Sequence, residues 1–448
     1  MSQRLTDLTD AMLRAAKNAG AEAADAMATE GRSISIDVRE GALEQAERAE
    51  GIEIGLRVLI GHRQACVAAS DVSVDTIAQI AERAVDMARI APEDPHVGLA
   101  DADQLARDWD VAYLDLVEQG DEPIPTDLQA AAAQAEAIAL ATPGITQAEA
   151  AAASFSRSAI HVAASNGFSG GYARSSNGLF CVAITGTGTE MERDYAGESR
   201  IYRADLPTPE EVGKLAAERA LSRAGARKPP TGAFPVLYDE RISSGLIGHL
   251  LQATNGASVA RGSSWLRDKL GEAVLPTGLS VTEDPHRARV SGSKPFDAEG
   301  LPTAKRDIVK DGVLQGWTLD LATARKLGMD STASAARGPS GPPSPSLTNI
   351  ALTQGEVSRD DLLRDMGTGL LITSLIGSSI NPTTGDYSRG ASGFWVENGE
   401  ITYPVNECTI AGNLHQMLAS IRPANDARTH LSRVVPSLLV EGLTIAGA

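Results

Sequence analysis

The N-terminal part of the chain alternates between helical and strand-like spacing of its apolar residues. Residues 6–19 carry apolar side chains at helical spacing, and residues 33–39 alternate between apolar and polar, which is typical of a half-buried strand. Residues 52–61 and 64–70 are two apolar runs with a short polar connection, which predicts a hairpin. Residues 73–91 return to helical spacing and stop before a proline.

The same order of elements recurs further along the chain. Helical spacing over residues 126–142 is followed by four strand-like segments and then by a helical pattern over residues 208–224. Asn166 and Gly167 form a type I′ turn signal between the second and third of these strands. Helix, antiparallel strands and helix therefore occur twice, which favours a repeated unit of architecture. The predicted strands cover residues 145–154, 157–164, 170–175 and 179–186.

The C-terminal part of the chain begins after a proline- and glycine-rich break at residues 223–232. A strand and an apolar helix follow this break, and residues 309–317 predict a hairpin. Residues 331–346 are rich in Gly, Pro and Ser and are unsuited to a helix or a central strand. They represent either a mobile lid or slack. Further strands are predicted at residues 369–377, 393–396, 400–403 and 436–445.

These patterns predict an α+β fold with two lobes. The N-terminal lobe contains helix-flanked antiparallel sheets, and the C-terminal lobe is rich in strands. Within this scheme we expect a helix/sheet subdomain over residues 1–120, a second helix/sheet subdomain over residues 121–228, and a C-terminal domain over residues 229–448.

Composition and charge exclude several functional classes. The chain has 448 residues and a formal net charge of -18, which opposes binding to nucleic acid or to an anionic membrane surface. Its three cysteines lie far apart in sequence, so they predict neither a disulfide framework nor a zinc ribbon. No segment approaches the roughly 18 apolar residues of a membrane span. We therefore expect a cytoplasmic protein without a nucleic-acid or membrane partner.

The recognisable catalytic motifs are weak. Residues 167–171 match the G-x-S-x-G pattern of a nucleophile elbow, but strand-like residues follow where that motif needs a helix. The glycines at residues 186–188 lack the third glycine of a dinucleotide-binding fingerprint. The histidines of the C-terminal half form no close pair, and we interpret Cys408 and His415 as structural residues.

Two dense polar turns near the C-terminus carry more functional groups than a turn requires. They lie at residues 385–390 and 397–400 between apolar runs. An acid, a phenol, a hydroxyl and a guanidinium within four residues are able to hold a peptide backbone or a partner loop. The predicted peptide- or partner-contact residues are Asn381, Asp386, Tyr387, Ser388, Arg389, Glu397 and Asn398.

The sequence resembles the TldD/TldE family, in which TldE is also called PmbA. The resemblance lies in residues 381–414, in the ending at residues 437–447 and in the apolar hairpin at residues 51–70. It therefore extends over nearly the whole chain. The segment GDYSRGASGFWVENG within the first of these ranges is similar to the TldE branch.

The resemblance also shows where this chain departs from a zinc enzyme. Members of the TldD branch resemble metalloproteases that carry H-E-x-x-x-H on a helix and a later cysteine as zinc ligands. If His249 corresponds to the second histidine, Ser244 and Gly245 stand at the positions of the first histidine and the glutamate. No cysteine follows Cys408. A single imidazole does not hold zinc, so the resemblance implies no metal site and no catalytic residue in this chain.

The resemblance implies a TldE-like subunit that forms a heterodimer with a zinc-binding TldD-like chain. Such a pair degrades unfolded or extended peptides, including peptide precursors and antitoxins, and zinc is expected only in the partner. Alone, the chain is expected to form a homodimer. Two alternatives stay open, namely a self-sufficient peptide hydrolase and a homodimeric peptide-binding protein without protease activity.

Overall fold

The computed structural model describes residues 3–447, and its N-terminal lobe contains the predicted order of helix, strands and helix twice. The first unit comprises α1 Gln3–Ala19, β1 Ala23–Arg39, β2 Ala42–Ile60, β3 Arg63–Ala69 and α2 Val74–Ile90. A one-turn helix, α3 Val111–Leu114, follows in the connection. The second unit comprises α4 Pro125–Ala141, β4 Ile145–Ala164, β5 Ser169–Thr185, β6 Glu192–Arg200 and α5 Pro209–Ser222.

All six strands of these two units belong to one antiparallel sheet. Its strand order is β3-β2-β1-β4-β5-β6, so the two units meet where β1 pairs with β4. The pairing runs from Asp25 opposite Ala164 to Val38 opposite Ala151, and its middle lies at Arg32 opposite Arg157. The predicted division of this lobe near residue 120 stays a prediction.

The helices cover one face of this sheet in two separate patches. Ala26 and Ala28 of β1 pack with α1 and α2, whereas Ile36 and Val38 of the same strand pack with α4 and α5. All four residues occupy even positions, so they point to the same face of the sheet. The middle of β1 lies between the two patches.

The structure corrects the strand boundaries predicted from the sequence. The four strands predicted over residues 145–186 are two long strands, β4 and β5, and β1 begins about ten residues before its predicted start. β6 was not predicted, because its segment ERDYAGESR is polar. The polar residues near Arg157 were interpreted as a break between two strands. They are part of one strand, β4, whose middle lies between the helical patches and is partly open to solvent.

The C-terminal lobe is strand-rich, as predicted. Its helices are α6 Glu240–Ala253, α7 Gly256–Ala260, α8 Leu321–Leu327, α9 Arg359–Met366 and α10 Leu414–Ala419. Its strands are β7 Gly232–Tyr238, β8 Val281–Glu283, β9 Arg306–Lys310, β10 Val313–Leu314, β11 Ala335–Ala336, β12 Ser344–Pro345, β13 Ile350–Leu352, β14 Gly369–Ile380, β15 Asp386–Glu397, β16 Glu400–Asn413, β17 Arg422–Pro423, β18 Arg433–Val434 and β19 Leu438–Ala446.

A small barrel organises this lobe. The sheet order is β16-β15-β14-β7-β19-β17, and an additional pairing of β16 with β19 closes it. Helix α6 packs against one side of β7 through Val236 and Tyr238, and α9 packs against the other side through Leu237. The α+β prediction with two lobes is confirmed. No helix within residues 3–447 has both the length and the apolarity needed to span a membrane. The cytoplasmic location stays a prediction.

A buried ion cluster joins the two lobes. The Nε of Arg57, on β2, donates to Oδ2 of Asp25, on β1, at 2.6 Å. Arg337 of the C-terminal lobe forms an ion pair with the other oxygen of the same carboxylate, and its side chain is fully buried. Burial lowers the pKa of Arg337 to about 10, so the guanidinium stays charged at neutral pH. One carboxylate therefore holds two buried cations from different lobes.

The segment around Arg337 is the Gly/Pro/Ser-rich region of residues 331–346. It contains only the two-residue strands β11 and β12, in agreement with the prediction that it holds no helix or central strand. It packs closely on β2, because a Cβ atom on Gly55 would lie 2.0 Å from the carbonyl oxygen of Pro339. The segment is therefore packed against the N-terminal sheet at Pro339.

Asp25→Ala is expected to destabilise the protein strongly. The substitution leaves Arg57 and Arg337 buried without their shared carboxylate, and breaking a buried ion pair typically costs about 3–5 kcal/mol. Urea unfolding followed by circular dichroism measures the change. Asp86→Ala, which removes an exposed ion pair with Arg89, is the control and should cost less than about 1 kcal/mol. Similar effects of the two substitutions would contradict a structural role for Asp25.

A second buried group near this junction links stability to pH. Burial, followed by the negative charge of Asp297, raises the pKa of Glu299 to about 8 from its ordinary value of 4.5. The hydrogen bond that Oε2 of Glu299 accepts from the Leu321 N–H at 2.8 Å, and then the charge of Arg57, partly oppose this shift. Glu299 therefore keeps its proton at neutral pH in the folded protein, whereas the unfolded chain releases it.

We expect the free energy of unfolding to fall as the pH rises towards 8, because the folded state binds one more proton than the unfolded state. The slope from Glu299 is at most about 1.4 kcal/mol per pH unit and is lost above its folded pKa. Glu299→Gln should reduce the slope between pH 6.5 and 8, whereas Glu44→Gln, at an exposed glutamate, should not. Urea midpoints measured across this pH range give the slope. The same dependence of the midpoint on pH in Glu299→Gln and wild type would refute the raised pKa of Glu299.

Candidate functional site

Helix α6 carries the three positions that the family resemblance aligns with the zinc motif H-E-x-x-x-H. The carboxylate of Asp239 caps this helix by accepting the Arg241 N–H at 3.2 Å, and the apolar side of the helix is buried in the core of the lobe. The helix is regular throughout, so residues 244 and 249 differ by roughly 140° around its axis. Ser244 and His249 therefore point to different surroundings.

His249 lies in an aromatic and cationic environment. Its ring contacts the ring of Tyr387 on β15, with 5.7 Å between centroids and a T-shaped arrangement. Its Nε2 atom is buried and has no hydrogen-bond partner among residues 3–447. Burial, and then the positive charge of Arg389, lower the pKa of His249. A neutral imidazole is therefore the favoured form at neutral pH.

Tyr238, on β7, completes this group of side chains. Its hydroxyl lies 3.4 Å from the hydroxyl of Tyr387, and burial raises the pKa of both phenols. Two neutral phenols, a neutral imidazole and a guanidinium supply hydrogen-bonding groups but no anionic ligand for a cation. Tyr238 is not among the residues predicted from the sequence. Alternation in β7 placed it on one face with Val236, but only the packed structure shows that Tyr387 lies against this face.

Ser244 and Gly245 offer no metal-binding or basic group. Ser244 lines a cavity of about 190 Å³ between the lobes, together with Arg241, Arg428 and His430. Gly245 is exposed, and a Cβ atom at this position would meet nothing within 4 Å. The absence of a carboxylate at Gly245 is therefore not imposed by packing.

The other candidate metal ligands, Cys408 and His415, make contacts with protein groups. The Sγ atom of Cys408 donates to the carbonyl oxygen of Ala391 at 3.2 Å, and burial raises the pKa of this thiol to about 11. His415 packs against Trp265, with 4.8 Å between ring centroids. Among residues 3–447, no group of three His, Cys, Asp or Glu side chains is arranged to hold a metal ion. The side chains present do not fit a zinc centre.

The predicted contact residues Asn381 and Asp386 organise the turn between β14 and β15. The Asn381 side chain accepts the Thr383 N–H at 2.9 Å. The carboxylate of Asp386 accepts the Thr384 hydroxyl at 2.6 Å and the Asn413 amide at 3.1 Å. These hydrogen bonds, with Thr384 contributing most, lower the pKa of Asp386. The turn is therefore ordered by its own side chains while remaining exposed.

Arg389 lies on the opposite face of β15 from Asp386. Strand alternation places it with Tyr387, on the side of His249, and places Ser388 with Asp386. The Nε atom of Arg389 donates to the carbonyl oxygen of Gly377 at 2.7 Å. Gly377 belongs to an irregularity in the pairing of β14 with β15.

Glu397 and Asn398 lie at the other end of β15. The carboxylate of Glu397 accepts the Trp395 indole N–H at 3.0 Å, and Asn398 adopts a positive φ of 55° in the turn before β16. At about 3.3 Å per residue, this turn is roughly 36 Å from Asp386. The seven predicted contact residues therefore occupy three locations, and their role in contacts stays a prediction.

Comparison with protein families gives matches in the same order along the chain. The models described as PmbA/TldA metallopeptidase domain 1, central domain and C-terminal domain match residues 24–88, 118–224 and 231–447 respectively. Metalloprotease PmbA of Escherichia coli O157:H7 is 39% identical over 437 residues, which cover 97% of this chain and 94% of that protein. The PmbA homologue of Haemophilus influenzae is 35% identical over 448 residues, covering 99% of this chain and 96% of that protein.

Solved structures share the same architecture. A candidate modulator of DNA gyrase from Bacteroides thetaiotaomicron has a TM-score of 0.92 and 25% identity, with full coverage of both chains. TldE from Thermococcus kodakarensis has a TM-score of 0.84 over 98% of this chain and 100% of that chain. At 19% identity, the second similarity shows the fold alone.

We expect the purified protein to contain far less than one zinc ion per chain, because His249 has no second metal ligand beside it. Elemental analysis after chelator-free purification measures this. His249→Ala should leave the metal content unchanged, as should His62→Ala, which removes an exposed histidine outside the site. One zinc ion per chain that is lost selectively in His249→Ala would refute this interpretation.

Proposed function

Because the chain belongs to the PmbA/TldD metallopeptidase family, we propose that it is a TldE-like subunit without a catalytic zinc ion of its own. Its partner is a TldD-like chain that supplies the metal centre, and the pair acts on unfolded or extended peptides. The family resemblance noted in the sequence is confirmed by the matches along the chain. The division of labour and the substrate class are the proposal.

The composition of helix α6 carries this proposal. Ser244 and Gly245 stand where hydrolysis would require a ligand and a general base, and the one imidazole, His249, lies beside the cationic Arg389. A nearby guanidinium disfavours binding of a metal cation, since like charges repel. The sequence of α6 supports a role in which chemistry occurs on another chain.

The occurrence of both branches in one organism supports a partner of the TldD type. Haemophilus influenzae contains the PmbA homologue described above and also a TldD homologue. The TldD homologue is 28% identical to this chain over 220 residues, covering 48% of this chain and 45% of that protein. Such a pair of paralogues supplies the two related chains that the proposed heterodimer needs.

An unpaired sheet edge offers one surface for a second chain or a peptide. From Ala42 to Glu53, β2 pairs only with β1 among residues 3–447, because pairing with β3 starts at Ile54. Side chains from Ala42 to Gly51 are exposed on both faces. Exposed edges accept an added strand through backbone hydrogen bonds. This edge is suited to a partner strand or, in the isolated protein, to a homodimer.

The β14–β15 hairpin offers a second surface. Ile376 has 76% of its surface exposed, which is unusual for an isoleucine, and Arg389 holds the neighbouring carbonyl of Gly377. An exposed apolar residue next to an ordered polar turn suits contact with a partner or a peptide. Arg389 and Asp386 lie at this hairpin on opposite faces of β15, so each would meet a different side of a bound chain.

Mixed with a TldD-like chain, this protein should support zinc-dependent cleavage of an unfolded substrate. Arg389→Ala should reduce the cleavage rate of the pair at least about threefold, because it releases the Gly377 bulge and removes a contact group. His249→Ala and Gly245→Ala should leave the rate nearly unchanged. Cleavage of a fluorogenic unfolded peptide measures these effects.

Controls separate assembly from activity in this experiment. Arg364→Ala, at an exposed arginine of α9, is the matched control for loss of a positive charge. Gel filtration of each mixture shows whether a variant still forms the pair. The proposal fails if the chain alone cleaves the substrate at a chelator-insensitive rate, or if His249→Ala abolishes cleavage while the pair stays assembled.

A further inference from the structure

A groove crosses the N-terminal sheet between the two helical patches. Its volume is about 720 Å³, and its floor combines small residues, Gly31, Gly51 and Ala159, with charged ones. Arg4 and Leu5 in the first turn of α1 form one side. The floor lies at the middle of the β1–β4 pairing, where the two half-units of the lobe meet.

Most charged side chains in this groove already have partners. Arg4 pairs with Glu30 at 3.3 Å, Arg32 pairs with Glu122 in the segment before α4, and Glu50 pairs with Arg48. The half-buried Arg157 is the exception, since it has neither an ion pair nor a hydrogen bond within residues 3–447. A free guanidinium therefore lies in the groove floor.

The unpaired guanidinium of Arg157 faces a like charge. Arg157 lies directly opposite Arg32 across the β1–β4 pairing, and both residues point to the helix-covered face. Like charges directly opposite each other destabilise a sheet. Glu122 compensates Arg32 alone. An arginine costs less at this position if an external anion compensates it.

We propose that this groove binds an extended peptide segment and that Arg157 holds a carboxylate of that segment. The inference rests on the peptide-handling role proposed above and adds a preference for acidic side chains. The guanidinium matches a carboxylate through two parallel hydrogen bonds. Small floor residues let a peptide backbone approach the sheet closely.

The size of the groove fits a short extended segment. It is lined by four neighbouring strands, from β2 through β1 and β4 to β5. Strands lie about 4.8 Å apart, so this width is roughly 14 Å and holds about four residues in extended conformation. A peptide lying across the strands would contact one face of the sheet, whereas a strand added at the free edge of β2 would use backbone hydrogen bonds, and the two surfaces adjoin at residues 50–52.

Isothermal titration calorimetry of the full chain with two capped peptides tests the inference. The peptides are short and unstructured and differ only in one central residue, glutamate or glutamine. We expect wild type to bind the glutamate peptide roughly tenfold more tightly. Arg157→Gln should abolish this preference, and Arg83→Gln, at an exposed arginine of α2 outside the groove, should retain it.

A stability measurement separates binding from a structural role. Arg157→Gln should keep or raise the urea midpoint, because it removes the repulsion from Arg32, whereas a structural arginine would lower the midpoint when replaced. The inference is overturned if wild type binds both peptides equally or if Arg157→Gln keeps the preference. It is also overturned if acetate at the peptide concentration competes fully, which indicates a simple anion site.

The same experiment is independent of the proposed partner, because it uses the isolated chain and measures no cleavage. Zinc-dependent cleavage by the pair without a glutamate preference would remove the groove inference and leave the subunit proposal intact. A preference for the glutamate peptide without any cleavage by the pair would support the groove inference and contradict the subunit proposal.

Discussion

A buried carboxylate on the first strand of the N-terminal sheet carries an ion pair between the two lobes. Asp25 in the first strand of the N-terminal sheet pairs with Arg57 beside it and with Arg337 from the C-terminal lobe. Removing three charges from water is costly, so such a cluster is tolerated only where its members compensate one another. The close approach of Pro339 to Gly55 brings Arg337 to this carboxylate. A second ion pair with little exposure, between Arg241 and Asp194, joins the lobes elsewhere.

The N-terminal lobe is best understood as two similar units that share one sheet. Each unit covers its own part of the sheet with two helices, which leaves a strip uncovered where β1 and β4 pair. Charged residues occupy this strip because no helix buries it. The same strip contains Arg157, so the feature that hid the continuity of β4 in the sequence also creates the groove.

The C-terminal lobe keeps the frame of a metallopeptidase domain without a complete set of ligands. Helix α6 is capped, regular and packed on the barrel, so its shape does not depend on a metal ion. His249 lies beside Tyr387, and burial and then the positive charge of Arg389 lower its pKa. In the proposed subunit role, this lobe supports a partner's active site and presents the β14–β15 hairpin, whereas the free edge of β2 belongs to the N-terminal lobe.

Local patterns in the sequence determined the order of helices and strands, the hairpins, the fold class and the family resemblance, including the loss of two motif positions on α6. These features depend on residues close together in the chain, which is why periodicity and motifs reveal them. Tertiary structure alone decided that β4 and β5 are continuous, that the seven predicted contact residues lie in three places, and that Asp25 meets Arg337. Asp25 and Arg337 are roughly three hundred residues apart, and no local pattern records which charges will share a buried site once the lobes pack together.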